Sequence, residues 1–472
     1  MLKTLHSAKT SKLIVSALPA LLVCFLVMSP VAAAESVQVN LGSIQNLTNS
    51  TNASTAPVVA AVNNYVYVAW EEKVPGSQHV TYFQASSDNG ATWAPQISFD
   101  MVGGASPQTS AVQMDAVGNH VYLTWEQDNQ TAYALSADNG ATFTSGIFTI
   151  PTPLTGTMSG EALAACGSWV YFTWSDIETI GHSRPILFAS VHDTTGTGSF
   201  VFSTPKSIST QASAHGEDET ACVGNNVYTV WDSIYFTRST NNGLNWAPVK
   251  QLRPAGGSGG SLSREPMISA SGTDVYVTFP SNATPDGSYQ SWIAVSHDSG
   301  NTFAPAKIVS TGMSNTREVQ VLSSGDNVWV TSRGKSATVG GTQQYVYTSH
   351  DDGNTFSAGI LAGGKKLPNP ENGFGGLAVN GSNVYVQWIH NPPGKNFKGI
   401  QQMFLSASQD NGDTFAPYQQ LSQSTGGTIG YGDPAGGQGP QVSASGAYVY
   451  SVWIDLSTNA GDVYFMASTL AS

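Results

Sequence analysis

Charge is what this sequence has least of. Asp, Glu, Lys and Arg make up only 10% of its 472 residues, against about 25% in an average soluble domain. Basic residues are the scarcer kind, 18 against 31 acidic, for a formal net charge of −13. No arginine precedes Arg184. A surface of that sign repels nucleic acid and anionic lipid, so neither is expected as a partner. Cysteine is almost absent: Cys166 and Cys222 are the only two beyond residue 34, too few for a disulfide scaffold, and the fold must be held by its core. No window reads as an amphipathic helix. There is no Gly-rich phosphate loop, no Ser-His-Asp signature and no paired-cysteine metal motif. What is plentiful is Gly, with 49 copies, alongside Ser, Thr and Asn, the composition of an exported all-β protein.

Residues 1–34 read as a secretory signal. Lys3, Lys9 and Lys12 give a positive start, an apolar run extends from Leu13 to Val27, and Ala32, Ala33 and Ala34 offer a small-residue cleavage site. A retained N-terminal anchor is the alternative; no later segment could span a bilayer. Six sequons, at Asn46, Asn49, Asn52, Asn129, Asn282 and Asn380, suit a glycosylated surface protein that is secreted or held at the cell surface. Residues 35–472 are expected to form one domain.

That domain is repetitive. The segments SSDNGATWAP (86–95), SADNGATF (136–143), STNNGLNWAP (239–248), SHDSGNTFAP (296–305), SHDDGNTF (349–356) and SQDNGDTFAP (408–417) are near copies. They read as tight turns: Asp88, Asp138, Asn241, Asp298, Asp351 and Asp410 bond backbone groups nearby, Gly takes a positive φ, and the aromatic anchors the turn. The motif resembles the Asp-box, or BNR, repeat of the sialidase-like β-propellers. That resemblance implies a propeller fold, but not an activity, because the box is structural.

A second motif, VYVAW (66–70) in its first copy, recurs as VYLTW (121–125), VYFTW (170–174), VYTVW (227–231), VYVTF (275–279), VWVTS (328–332), VYVQW (384–388) and VYSVW (449–453). Alternating β-branched and aromatic residues predict a buried strand in each. With one strand before and two after, each repeat is a four-stranded antiparallel meander, one propeller blade. The third repeat has a degenerate box around Asp193. The eighth stops after its third strand, whereas residues 36–48 offer a fourth strand without its first three. Eight blades, closed by the N-terminal strand, are therefore expected, with seven blades and one irregular repeat as the alternative.

Nine or ten residues before the Val of that motif, four consecutive repeats carry glutamate: Glu161, Glu217, Glu265 and Glu318. They are expected to line the channel mouth on the face away from the boxes, with Arg264 and Arg317 nearby and paired to them. A second acidic set, Glu71, Glu126, Asp176, Asp232 and Asp455, follows the motif and is read as satisfying local strand groups. His215 with Glu217 and Asp218 could ligate a divalent cation, although no cofactor is required. The sialidase resemblance implies three arginines, a tyrosine nucleophile and an Asp acid/base. Here Arg264, Arg317 and Tyr431 are the only candidates, and the family's Arg-Ile-Pro motif is missing. The expectation is a propeller that binds a glycan or an envelope protein without catalysis, the alternative being a glycoside hydrolase with a divergent site. Cys166 and Cys222 each lie five residues after one of the glutamates, so they should be neighbours on adjacent inner strands, with the bond itself left open.

Overall fold

The computed structural model describes residues 38–471, apart from 76–77, 100–108, 128–129, 150–157, 177–184, 210–217, 255–264, 337, 340, 367–371, 391–400, 430–440 and 458–460. The proposed signal lies outside them. Eight separate antiparallel sheets follow one another along the chain, making an eight-bladed β-propeller. Blade 1 is built from Ala53–Val62, Tyr65–Val74, Gln78–Ser86 and Ile97–Phe99, and the same meander recurs through blade 7.

The repeated strand motif explains why blades stack. Its Val, aromatic and Trp positions are all shielded from water: Val66, Tyr67 and Trp70 in blade 1, and Val449, Tyr450 and Trp453 in blade 8, are at most 1% exposed. Successive side chains leave a strand on opposite sides, so each sheet is apolar on both faces and needs a neighbour on each. The core is accordingly divided among the spaces between blades. One cluster joins blades 1 and 2 through Phe83 and Trp125, and another joins blades 8 and 1 through Phe465 and Trp70.

The ring closes as expected. Blade 8 takes its outer edge from the N-terminal segment, with Val39 opposite Leu470, Asn40 opposite Thr469, Gln45 opposite Phe465 and Asn46 opposite Tyr464. The sequon-rich run is part of this closure. Asn46 Nδ2 and Thr48 Oγ1 donate to the fully buried Asp462 carboxylate at 3.0 Å each, Ser50 N donates to it at 3.1 Å, and Asn52 Nδ2 donates to Glu72 at 2.9 Å.

All six Asp boxes have one geometry. In the first, Asp88 Oδ1 accepts from Thr92 N at 2.8 Å, Asp88 Oδ2 accepts from Thr92 Oγ1 at 2.6 Å, and Ser86 Oγ accepts from Gly90 N at 2.9 Å. Asp138, Asp298, Asp351 and Asp410 repeat this, and Asn241 holds Asn245 N at 2.9 Å. The box glycine serves twice: Gly243 has φ +80°, and a Cβ there would come within 2.1 Å of Phe188 in the preceding blade. Each box is thus also a latch between blades. Lys307 of blade 5 supports this role by donating to Gly353 O of blade 6 at 2.7 Å.

These bonds set an acid limit. The Thr92 hydroxyl and amide hold the Asp88 carboxyl down at about 2, and the Thr302 and Thr355 amides do the same for Asp298 and Asp351. A carboxyl depressed in the folded state stabilises above its unfolded pKa of about 3.9, and the contribution disappears as pH falls toward 2. Acid unfolding between about pH 4 and 2 is expected to soften in Asp298→Ala, which should cost about 0.5–1 kcal/mol at neutral pH because the turn is solvent-screened. Urea titrations at pH 7 and pH 3 measure this. An equal loss at both values would contradict the assignment.

Candidate functional site

The boxes define one face of the ring. Their backbone bonds to the turn between the first two strands of the same blade, as in Asn89 N to Asn64 O at 2.9 Å and Ser299 N to Thr273 O at 2.7 Å. Loops leading into the first strands, and loops between the second and third, therefore lie on the other face. Binding residues held by a rigid scaffold belong there.

On that face the innermost strands share a distortion. Their pairing with the second strand skips between Thr55 and Val58, Ser110 and Gln113, Ser159 and Ala162, and Arg317 and Gln320. Such β-bulges re-aim side chains where a strand enters a sheet. Within two of them Ala56 and Glu318 adopt φ +50° and +55°, and Glu265, just ahead of the regularly paired first strand of blade 5, adopts φ +52°. L-residues rarely take that conformation, and it costs on the order of 1–3 kcal/mol. Two of the four aligned glutamates are thus fixed in the same unusual backbone state on adjacent blades 5 and 6.

The register corrects the glutamate alignment at one position. All eight turns between the first and second strands contain two residues, from Val62 opposite Tyr65 round to Ser445 opposite Tyr448. With no slack in the turn, the place of Glu318 is always ten residues before the motif Val. In blade 3 that place holds Gly160, and Glu161 falls one residue late. The same offset appears in the cysteines: Cys166 faces Trp169, whereas Cys222 faces Val227, the counterpart of Val170. They are neighbours but not equivalents, and they form a disulfide with Cα atoms 6.2 Å apart.

Glu318 is buried, and its Oε1 lies 2.7 Å from Arg333 Nη2. Arg317 does not serve as its partner; the Arg317 guanidinium lies over the Tyr289 ring, 5.2 Å from its centroid. Arg333 escaped the sequence reading because it occupies the place after the second-strand motif where blades 1 and 2 carry Glu71 and Glu126. That reversal of charge was the available signal. In the second acidic set, Asp455 accepts from Ser424 Oγ and Ser457 N at 2.7 and 2.8 Å, and Asp232 accepts from Ser233 N at 2.7 Å, a local role. The Glu161 and Asp176 side chains, and Glu217, Arg264, His215 and Tyr431 entirely, lie outside the described residues. Of the proposed cation ligands only Asp218 is described, and it is buried. Among the described residues no three His, Cys, Asp or Glu side chains gather as a cation site.

Two inner-strand acids were not anticipated. Glu219, opposite Val230 in blade 4, is pushed up to about 8 by burial. Burial also raises Asp115 in blade 2 to about 6, against the pull of the Ala165 and Ala116 amides, which donate to it at 2.9 and 2.7 Å. Both retain some contact with solvent, yet each sits deep within the ring, where protein rather than water supplies most of the surroundings. That favours the neutral acid.

The profile of the BNR repeat-like domain matches residues 211–461, more than half of the chain. The chain belongs to this family. Among curated proteins no significant match is found. Solved structures similar to this BNR chain include Trypanosoma rangeli sialidase in complex with the inhibitor DANA, at 12% identity and TM-score 0.39, covering 88% of this chain and 55% of that one. The endosialidase of phage phi92 is 12% identical, with TM-score 0.42 and coverages of 92% and 70%. A Hadza microbial sialidase is 14% identical, with TM-score 0.39 and coverages of 88% and 66%. The BNR chain thus spans about half the length of the trypanosomal enzyme. Among its described residues no helix is long and apolar enough to cross a membrane.

Proposed function

We propose that this BNR propeller is an exported or surface-held protein that binds a glycan, without cleaving it, on the face opposite its Asp boxes. The observation that carries the reading is the pair Glu265 and Glu318, each ten residues before the motif Val of adjacent blades and in the same left-handed conformation. Backbone strain of this kind is kept where a side chain must be aimed. The half-exposed Glu265 is the carboxylate offered to paired sugar hydroxyls, the buried Glu318 fixes the Arg333 guanidinium as a donor, and the Arg317–Tyr289 stack adds a further donor on an aromatic platform. The missing Arg-Ile-Pro motif argues against a sialidase site.

The test is a glycan array with the purified chain and its Glu265→Ala and Glu318→Gln variants. Each charge-assisted contact is worth about 1.5–3 kcal/mol, so affinity should drop roughly ten- to a hundredfold per variant. Binding that survives both changes would dismiss this face. One observation favours a hydrolase instead: Glu219, held neutral up to about pH 8, has the protonation a general acid needs. A panel of chromogenic glycosides decides, since turnover abolished by Glu219→Gln would replace the binding reading with the enzymatic one.

A further inference from the structure

The third-strand residue opposite the fourth position of the motif is aromatic in blades 1, 2, 3, 4 and 8: Phe83, Tyr133, Phe188, Phe236 and Phe465. In four cases the Asp box of the next blade covers that ring. The box glycine lies so close that a Cβ would stand 2.1–2.7 Å from it. The box aromatic adds an edge-on contact, at 4.9 Å for Trp93 on Phe465 and Phe143 on Phe83, and 4.8 Å for Trp246 on Phe188 and Phe303 on Phe236. All four rings are at most 1% exposed.

Tyr133 is the exception because blade 3 lacks the box. Its turn is wound instead on Asp193, which accepts from the amides of Thr195, Gly196, Gly198 and Ser199 at 2.8–3.1 Å. Gly198 stands near Ala137 and Phe200 rather than over Tyr133. The outer strand of blade 3 is also broken, into Phe200–Phe202 and Lys206–Ser207. The uncovered place is a groove of about 500 Å³, within the usual range of small-molecule sites. Tyr133 is only half-buried in it, and Phe148 and Phe202 flank it with centroids at 4.8 and 5.0 Å. Phe202 is 38% exposed, an unusual state for Phe.

We infer that this groove is a second binding site, for a neutral saccharide, independent of the face proposed above. Tyr133 and Phe202 give apolar platforms over the buried Phe148, and the hydroxyls of Thr149, Ser203 and Thr204 border them. A sugar ring presents that same combination of an apolar C–H face and a hydroxyl rim. Among the described residues no Asp, Glu, Lys, Arg or His lines the groove, and the nearby Lys206 is committed to Gly243 O and Leu244 O of blade 4 at 2.6 and 2.8 Å. A charged ligand would lose its hydration there with no counter-charge in return, which selects an uncharged one.

The experiment is surface plasmon resonance with immobilised full chain and soluble hexasaccharides of glucose, mannose, xylose and galactose, with a sialylated oligosaccharide as the charged control. At least one neutral hexasaccharide should bind. Its Kd should rise tenfold or more in Phe202→Ser, a change at an exposed position, and in Thr204→Trp, which fills the groove. Glu265→Ala and Glu318→Gln should leave it unchanged. Absence of neutral-glycan binding up to millimolar concentration, preference for the charged control, or indifference to both groove variants would overturn the inference. Tyr133→Ala serves as a third variant if its unfolding midpoint is retained.

Discussion

Deleting residues 36–47 is expected to drive the ring into edge-paired oligomers or aggregate. The deletion strips Asp462–Leu470 of its outer partners, leaving a nine-residue edge strand of the kind that pairs with other chains. It also removes Asn46 Nδ2 as a donor to the fully buried Asp462 and detaches Thr48 and Ser50 from the sheet that positions them. A buried carboxylate without its donors costs about 1–3 kcal/mol or more per lost bond. Gln45 goes as well, and with it the bonds to Gly90 O at 2.8 Å and from Trp93 Nε1 at 3.0 Å that tie blade 8 to blade 1. The combined loss, on the order of 5 kcal/mol, is comparable with the whole stability of many domains. Light scattering after size exclusion should show the change, and a peptide of residues 36–52 supplied in trans should reverse part of it. A truncated chain that keeps the size and the unfolding midpoint of the full chain would contradict closure by this strand.

Replacing both Cys166 and Cys222 with Ser should give the second-largest effect. The bond clamps the innermost strands of blades 3 and 4 and closes a loop with a sequence separation of 56 residues. Chain-entropy arguments put such a loop at about 4 kcal/mol, and measured losses commonly run about 2–4 kcal/mol. The denaturant midpoint should fall, and the slope should rise slightly because the denatured chain, freed of the cross-link, exposes more surface. The unreduced protein should show no free thiol when denatured, and reduction of the wild type should reproduce the double variant. Two titratable thiols before reduction would exclude the bond.

Much of this molecule is legible in its sequence because it repeats. A turn motif that needs Asp, Gly and an aromatic at fixed spacing declares itself six times, and a strand buried on both faces declares itself eight times. Counting them specified the blades, and the leftover half-repeats at the two ends specified closure. The chemistry of the site was less legible. Glu161 aligned only because a tolerance of one residue was allowed, which the uniform two-residue turns do not permit. Arg333 was missed because partnership with Glu318 depends on a bulge that turns the carboxylate back onto its own sheet. Glu219 stands beside two other acids in the sequence, and nothing local distinguishes the one that burial drives neutral.

The sequence by itself determined the strands, the boxes and the ring, because local spacing and hydrophobic alternation are properties of neighbours along the chain. Only the tertiary structure decided which charges meet, which acid is desolvated, that Cys166 reaches Cys222, and that the lost box of blade 3 leaves Tyr133 uncovered. Each of those depends on what the adjacent blade places opposite a residue, and that blade lies some fifty residues away along the chain.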